Sequence, residues 1–183
     1  MTRTRPTSPR IPPIEHLADR IREKTAGGVV QAINMGATLG TNRKVAKAMS
    51  AVSDVLLHQG SIPPRLRELV ILRMGWNCSC VYEFGQHTLY ALSVGLTPDD
   101  VRLTTRPIDE GQWSDVERAV LQMTDDLFAD DCVTDTTWAD LEGHFDHSQI
   151  IEFLCAATCY RMGCAMFNSC GVQREPGVPG WPT

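Results

Sequence analysis

Apolar residues recur at intervals of three and four along almost the whole chain, and runs of strict alternation are short, so the pattern predicts an all-α protein. The segment "PPIEHLADRIREKTAGG" opens with prolines suited to a first helical turn and closes on a glycine pair that stops it. A second helix is expected near Val29 to Leu39. "TNRKVAKAMSAVSDVLLHQG" follows, with Asn42 as N-cap and Gly60 as stop. "IPPRLRELVILRMGWNC" repeats the device, with Pro63 or Pro64 in the first turn and Leu66, Leu69, Val70, Leu72 and Arg73 distributed around a helix that also carries Glu68. The next helix is expected from about Ser79 to Val94, ended by Gly95, after which Thr97 and Asp100 have capping-box spacing.

Ser114 and Glu117 make a second capping box, leading a helix whose apolar face is Val116, Ala119, Val120, Met123 and Leu127. "TDTTWADLEGHF" predicts a shorter helix. The last, "SQIIEFLCAATCYRMGCAMFNSCG", is apolar nearly all round, which predicts burial in the core or against another subunit. The Pro- and Gly-rich tail "VQREPGVPGWPT" predicts an extended arm.

A chain of 183 residues, 43% hydrophobic, is long enough for one core and short for two. The expected organisation is a flexible arm over residues 1–12, a single helical domain over 13–172 and a C-terminal arm over 173–183. The net charge of -5 lacks the basic balance that phosphate contacts require, which argues against nucleic acid as a partner. The basic start is not followed by an apolar signal core, and Glu152, Arg161 and Asn168 interrupt the most apolar stretch, so neither secretion nor a membrane span is expected. Seven cysteines, an odd number, fit reduced thiols in a cytoplasmic protein better than a disulfide framework. Cys155, Cys159 and Cys164 are expected as small buried hydrophobes.

The stretch "NCSCVYEFGQH", residues 77–87, concentrates the candidate chemistry. On a helix Cys80, Glu83 and His87 share one face. A metal is not expected, because C-x-C lacks the usual spacing and no second ligand pair answers it; His144 and His147 suit capping and solvation. Redox chemistry has a basis in Cys80, a thiol near a helix N-terminus, although the position one turn on is Glu83 and only Cys78 is at hand to resolve it. Acid/base chemistry would use Glu83 and His87 with Glu68 and Tyr82, and needs no cofactor. An ordinary surface pair of Glu83 with His87 accounts for the same spacing.

The span "RLRELVILRMGWNCSCVYEFGQHTLYALSVGLTPDDV" resembles the carboxymuconolactone decarboxylase and alkylhydroperoxidase-like superfamily. Arg65, Arg67, Glu68, Arg73, Tyr82, Glu83, Phe84, His87, Ala91, Gly95 and Leu96 fall on its pattern, and a looser likeness extends over most of residues 40 to 175. The resemblance implies an all-helical fold assembling as a trimer or hexamer, with its active site in a helical cleft near a subunit interface. Its peroxidase branch uses a glutamate, a C-x-x-C pair and a histidine, matched here by Glu68, Cys80 and His87, with Glu83 in the second cysteine's place. Its decarboxylase-like branch has the Y-E-W-x-x-H form, followed here except for Phe84. The expectation is therefore a cofactor-independent lyase acting on a small carboxylated lactone, ring or β-keto acid. His87 would be the acid/base, Glu83 would orient it, and Glu68 would be a second acid or a substrate contact.

Arg73 or Arg65 would hold a carboxylate, and Trp76, Tyr82 and Phe84, with Met74, Tyr90 and Phe167, would line the pocket. The alternatives are a thiol-dependent peroxidase centred on Cys80 and a ligand-binding or redox-sensing oligomer without turnover.

Overall fold

The computed structural model describes residues 4–29 and 31–183. Among these residues every regular element is helical: α1 (Glu15–Lys24), α2 (Ile33–Leu39), α3 (Arg43–Asp54), α4 (Pro64–Asn77), α5 (Val81–Ser93), α6 (Pro98–Leu103), α7 (Asp115–Asp130), α8 (Asp135–Glu142) and α9 (His147–Cys170). Short 3-10 turns occupy Gly40–Asn42 and Ile108–Glu110, and a wide π turn, Val55–Gln59, carries α3 on to Gly60. The first three residues of the expected N-terminal arm, and Val30 in the expected second helix, lie outside the described residues.

The local start signals act as their chemistry dictates. Asn42 Oδ1 accepts from Val45 N at 3.3 Å. Pro64 opens α4 in the position where its missing N–H costs nothing. Thr97 and Asp100 cap each other reciprocally, as do Ser114 and Glu117. Asp146 and Gln149 form a third such box at the start of α9.

α4 is the centre of the bundle and packs on α5, α7 and α9. Every residue from Leu66 to Gly75 is buried, including Arg67, Glu68 and Arg73. Leu69, Val70, Leu72 and Met74 meet Phe84, Val120, Leu121, Met123, Ile150 and Phe153 in the main core. Charged residues tolerate such a position only when paired. Arg73 donates to both carboxylate oxygens of Asp125 at 2.7 and 2.6 Å and to the carbonyls of Thr104 and Arg106.

α9 is long and apolar enough over an 18-residue window, mean hydropathy 1.4, to cross a membrane by length and composition alone, its Glu152, Arg161 and Asn168 notwithstanding. Its Phe153, Ala156, Ala157, Tyr160, Cys164 and Phe167 are nonetheless buried within the bundle, the position of a core helix. Ile151 and Met162 on its other side remain exposed, so α9 is half-covered and α4 is the helix buried all round.

The tail carries no regular element yet lies along the bundle. Trp181 packs edge-on to Trp76 with ring centroids 5.2 Å apart and tilts against Phe84 at 5.0 Å. Gly85 is where it passes closest: a Cβ there would run into Pro179 O and the Val178 side chain.

Candidate active site

The junction between α4 and α5 sets the site. Ser79 adopts a left-handed conformation (φ 50°), which reverses the chain directly after α4. Cys80 is then the N-cap of α5, with a non-helical backbone (φ -103°, ψ 87°). The helix begins two residues later than expected, so Cys80 does not share the face of Glu83 and His87. Its side chain is fully buried among Leu39, Tyr82, Cys164, Phe167 and Val172. This corrects the one-face reading, which required Cys80 to be inside the helix.

Glu83 and His87, a turn apart on α5, meet Glu68 from α4. His87 Nδ1 is 2.7 Å from Glu68 Oε2, and His87 Nε2 is 3.3 Å from Glu83 Oε1. Glu68 Oε1 accepts from Arg67 Nε at 2.9 Å, and Arg67 Nη1 reaches the carbonyls of Leu56 and Leu57. All four charged residues are buried. Burial alone disfavours the imidazolium, but the Glu68 charge and hydrogen bond, followed by those of Glu83, overcome it and raise the His87 pKa from 6.5 to about 9. His87 is thus a cation at neutral pH, and both ring nitrogens donate. Its ring is held edge-on to Tyr160, centroids 4.7 Å apart, and tilted against Tyr90 at 5.3 Å. The surface-pair reading fails because His87 is only 4% exposed and Glu83 6%.

Glu83 and His87 open onto a cavity of about 270 Å3. Its walls come from four further elements: Met35 and Leu39 of α2, Met49 and Ser53 of α3, Leu57 of the π turn, and Cys159, Tyr160, Gly163 and Phe167 of α9. Tyr82, Gln86 and Tyr90 complete the α5 face. Glu68 stands behind His87, outside the lining. Among the described lining residues His87 supplies the positive charge.

Three groups of expected site residues are placed elsewhere. Arg65 is bound to Glu117, Asp100 and the carbonyl of Gly95, and Arg73 to Asp125, so neither guanidinium reaches the cavity. Phe84 is in the main core and Trp76 lies under Trp181; neither lines the cavity. Met74 is core as well. Of the three cysteines expected to be buried, Cys164 is, Cys155 is exposed and Cys159 lines the cavity in part-buried position. Burial, followed by Cys155 and the Glu83 charge, raises the Cys159 thiol pKa and keeps it protonated.

The sequence reading missed Glu175. From the tail it accepts from Tyr82 Oη at 3.0 Å, Gln86 Nε2 at 2.5 Å and the Asn34 backbone at 2.6 Å, tying α2, α5 and the tail together. Burial and then the Glu175 charge raise the Tyr82 pKa, so its phenol stays protonated. Gln86 Oε1, on the same amide, has no hydrogen-bond partner among the described residues. Gln86 was inside the quoted motif, but a single acid in a Pro/Gly-rich tail carries no local signal of where it docks.

Comparison with known proteins agrees with this fold. Residues 43–126 match the model of the carboxymuconolactone decarboxylase family. No curated protein matches the chain in sequence. Among solved structures, an uncharacterized peroxidase-related protein with an alkylhydroperoxidase AhpD core from Ralstonia eutropha JMP134 superposes with a TM-score of 0.77 at 19% identity, over 96% of each chain. A protein of unknown function from Agrobacterium tumefaciens, described as a putative antioxidant defence protein AhpD, gives 0.70 at 19% identity over 75% of this chain and 94% of its own. The debrominase Bmp8, in a complex with 2,3,4-tribromopyrrole, gives 0.72 at 15% identity over 93% of this chain and 94% of its own. The chain therefore has the AhpD-like helical fold, and its residues 43–126 carry the sequence pattern of the carboxymuconolactone decarboxylase family.

Proposed function

We propose that the chain is a cofactor-independent lyase of the decarboxylase-like kind, acting by proton transfer on a small, largely apolar carboxylic acid such as a lactone acid or β-keto acid. The observation that carries this reading is the buried Glu68–His87–Glu83 line opening on a cavity from which Cys80 is turned away. A cavity of about 270 Å3 is near the lower end of small-molecule pockets, about 300 Å3.

The chemistry follows from the charges. The substrate carboxylate enters a mostly apolar chamber whose one cation among the described lining residues is the His87 imidazolium, with Glu83 beside it disfavouring a second anion. Breaking the bond to the carboxylate carbon releases CO2 and leaves the electron pair on the adjacent carbon as an enolate. His87 delivers its proton to that carbon and recovers one from water. Glu83 orients the imidazolium at the cavity wall, and Glu68, held by Arg67, keeps it charged from behind. Tyr82 shapes the wall. A cytoplasmic setting, where the thiols stay reduced, belongs to the same reading.

The test is CO2 release by purified protein from a panel of carboxylated lactones and β-keto acids, without added cofactor. His87→Gln should lower turnover by about 100-fold or more, the scale of a lost general acid, while Cys80→Ser leaves it within about twofold of wild type. Turnover that survives His87→Gln, or that disappears with the Cys80 thiol, would sink the proposal.

A further inference from the structure

The hydrogen bonds that dock the tail on α5 leave one polar atom over. Glu175 Oε1 accepts from the Asn34 backbone N–H at 2.6 Å and from the Tyr82 hydroxyl at 3.0 Å, and its Oε2 accepts from Gln86 Nε2 at 2.5 Å. Tyr82 Oη in turn accepts from Met35 N at 3.2 Å and from Gln86 Nε2 at 3.4 Å. Both Glu175 oxygens, the phenol and the amide nitrogen are thus partnered, and among the described residues Gln86 Oε1 is not. Gln86 is 3% exposed and lines the cavity, next in sequence to His87.

Chemistry fixes which way this amide is turned. Reversing it would set its carbonyl oxygen against the Glu175 carboxylate, two acceptors with no proton between them. Glu175 and Tyr82 therefore hold the nitrogen on the tail side and leave the oxygen as a fixed acceptor. A buried carbonyl without a donor is costly. A ligand group that donates to it recovers that cost, whereas a ligand of the same shape with no donor does not. The surrounding walls, Met35, Leu39, Met49, Leu57 and Phe167, favour an apolar skeleton for the rest of the molecule.

We propose that Gln86 sets substrate choice: its Oε1 accepts a hydrogen bond from a hydroxyl or amide N–H of the substrate, which is a carboxylic acid bearing such a donor on an apolar skeleton. This rests on the reading of the cavity as the site of a carboxylic acid at His87, and narrows it. Glu175 is a positioning residue that acts through the Gln86 amide, so the tail that carries it is part of the site.

The test is equilibrium binding to the full chain, by isothermal titration calorimetry, of the three hydroxybenzoate isomers and the fluorobenzoates of matching position. Fluorine fills nearly the space of a hydroxyl but cannot donate. At least one hydroxybenzoate should bind about tenfold or more tightly than its fluoro counterpart. In Gln86→Met, or Gln86→Leu should methionine disturb folding, that ratio should fall to within about twofold. Glu175→Gln, which lets the amide turn over, should lower the ratio by more than it lowers affinity for the fluorobenzoate. His87→Gln should weaken both members of a pair alike, which places them in the cavity. A wild-type ratio within about twofold for every pair, the result if a trapped water already satisfies Oε1, would overturn the proposal. So would a ratio that survives removal of the Gln86 amide, binding indifferent to His87→Gln, or failure of all the acids to bind. The lyase reading fails separately, by absence of CO2 release, and that outcome leaves the binding ratio intact.

Discussion

The most exacting prediction concerns the proton on His87. Its pKa rises from 6.5 to about 9 because two carboxylates outweigh burial, so between those values the folded protein holds a proton that the unfolded chain has released. By linkage, the stabilisation is complete below about pH 6.5 and is lost as pH rises through about 9, at about 1.4 kcal/mol per pH unit between. The full displacement corresponds to on the order of 3 kcal/mol, a large share of a domain's net stability. The direct assay is an NMR titration of the His87 ring. Its midpoint should lie near 9 and fall on Glu68→Gln, and it should fall less on Glu83→Gln, since Glu68 is the nearer partner at 2.7 against 3.3 Å. Urea unfolding at about pH 6.5 and 9.5 should show the matching loss of stability in the wild type. A midpoint at or below the ordinary histidine value, or a greater effect from Glu83→Gln, would refute the account of a charged His87 held chiefly from behind.

Two further outcomes follow from the same structure. Arg73→Ala should destabilise the fold by about 3 kcal/mol, because it leaves Asp125 with only the Asn77 amide as donor and removes the Arg73 donor from the carbonyls of Thr104 and Arg106; thermal unfolding measures this, and an altered KM in the folded variant would restore Arg73 to a substrate role. Homo-oligomer formation would cover the exposed α9 side bearing Ile151 and Met162 and the exposed Val45, Val52 and Val55 of α3 and its π turn. Light scattering should then give a multiple of 20.3 kDa that falls towards the single chain on Ile151→Glu with Met162→Glu, and a wild-type monomer would exclude it.

The sequence by itself determined the elements whose causes are local. Period-three-and-four apolar spacing gave the helices, Asn42, Thr97 with Asp100 and Ser114 with Glu117 their starts, and Glu83 and His87 their common face, because side-chain oxygens and helical geometry act within a few residues. The same reading failed for Cys80, where one left-handed residue, Ser79, moved the helix start past the thiol and turned it to α9. It also left Arg65 and Arg73 open as carboxylate holders, since a guanidinium looks the same in sequence whether its partner is a substrate or Asp125, 52 residues away. Only packing decided that α4 rather than α9 is enclosed on all sides, that Glu68 reaches His87 from a separate helix, and that Glu175 closes on Tyr82 and Gln86 from the tail. Those contacts join positions 19, 93 and 89 residues apart. Pairing over such distances depends on how the helices are stacked, a property of the assembled core that no local pattern carries.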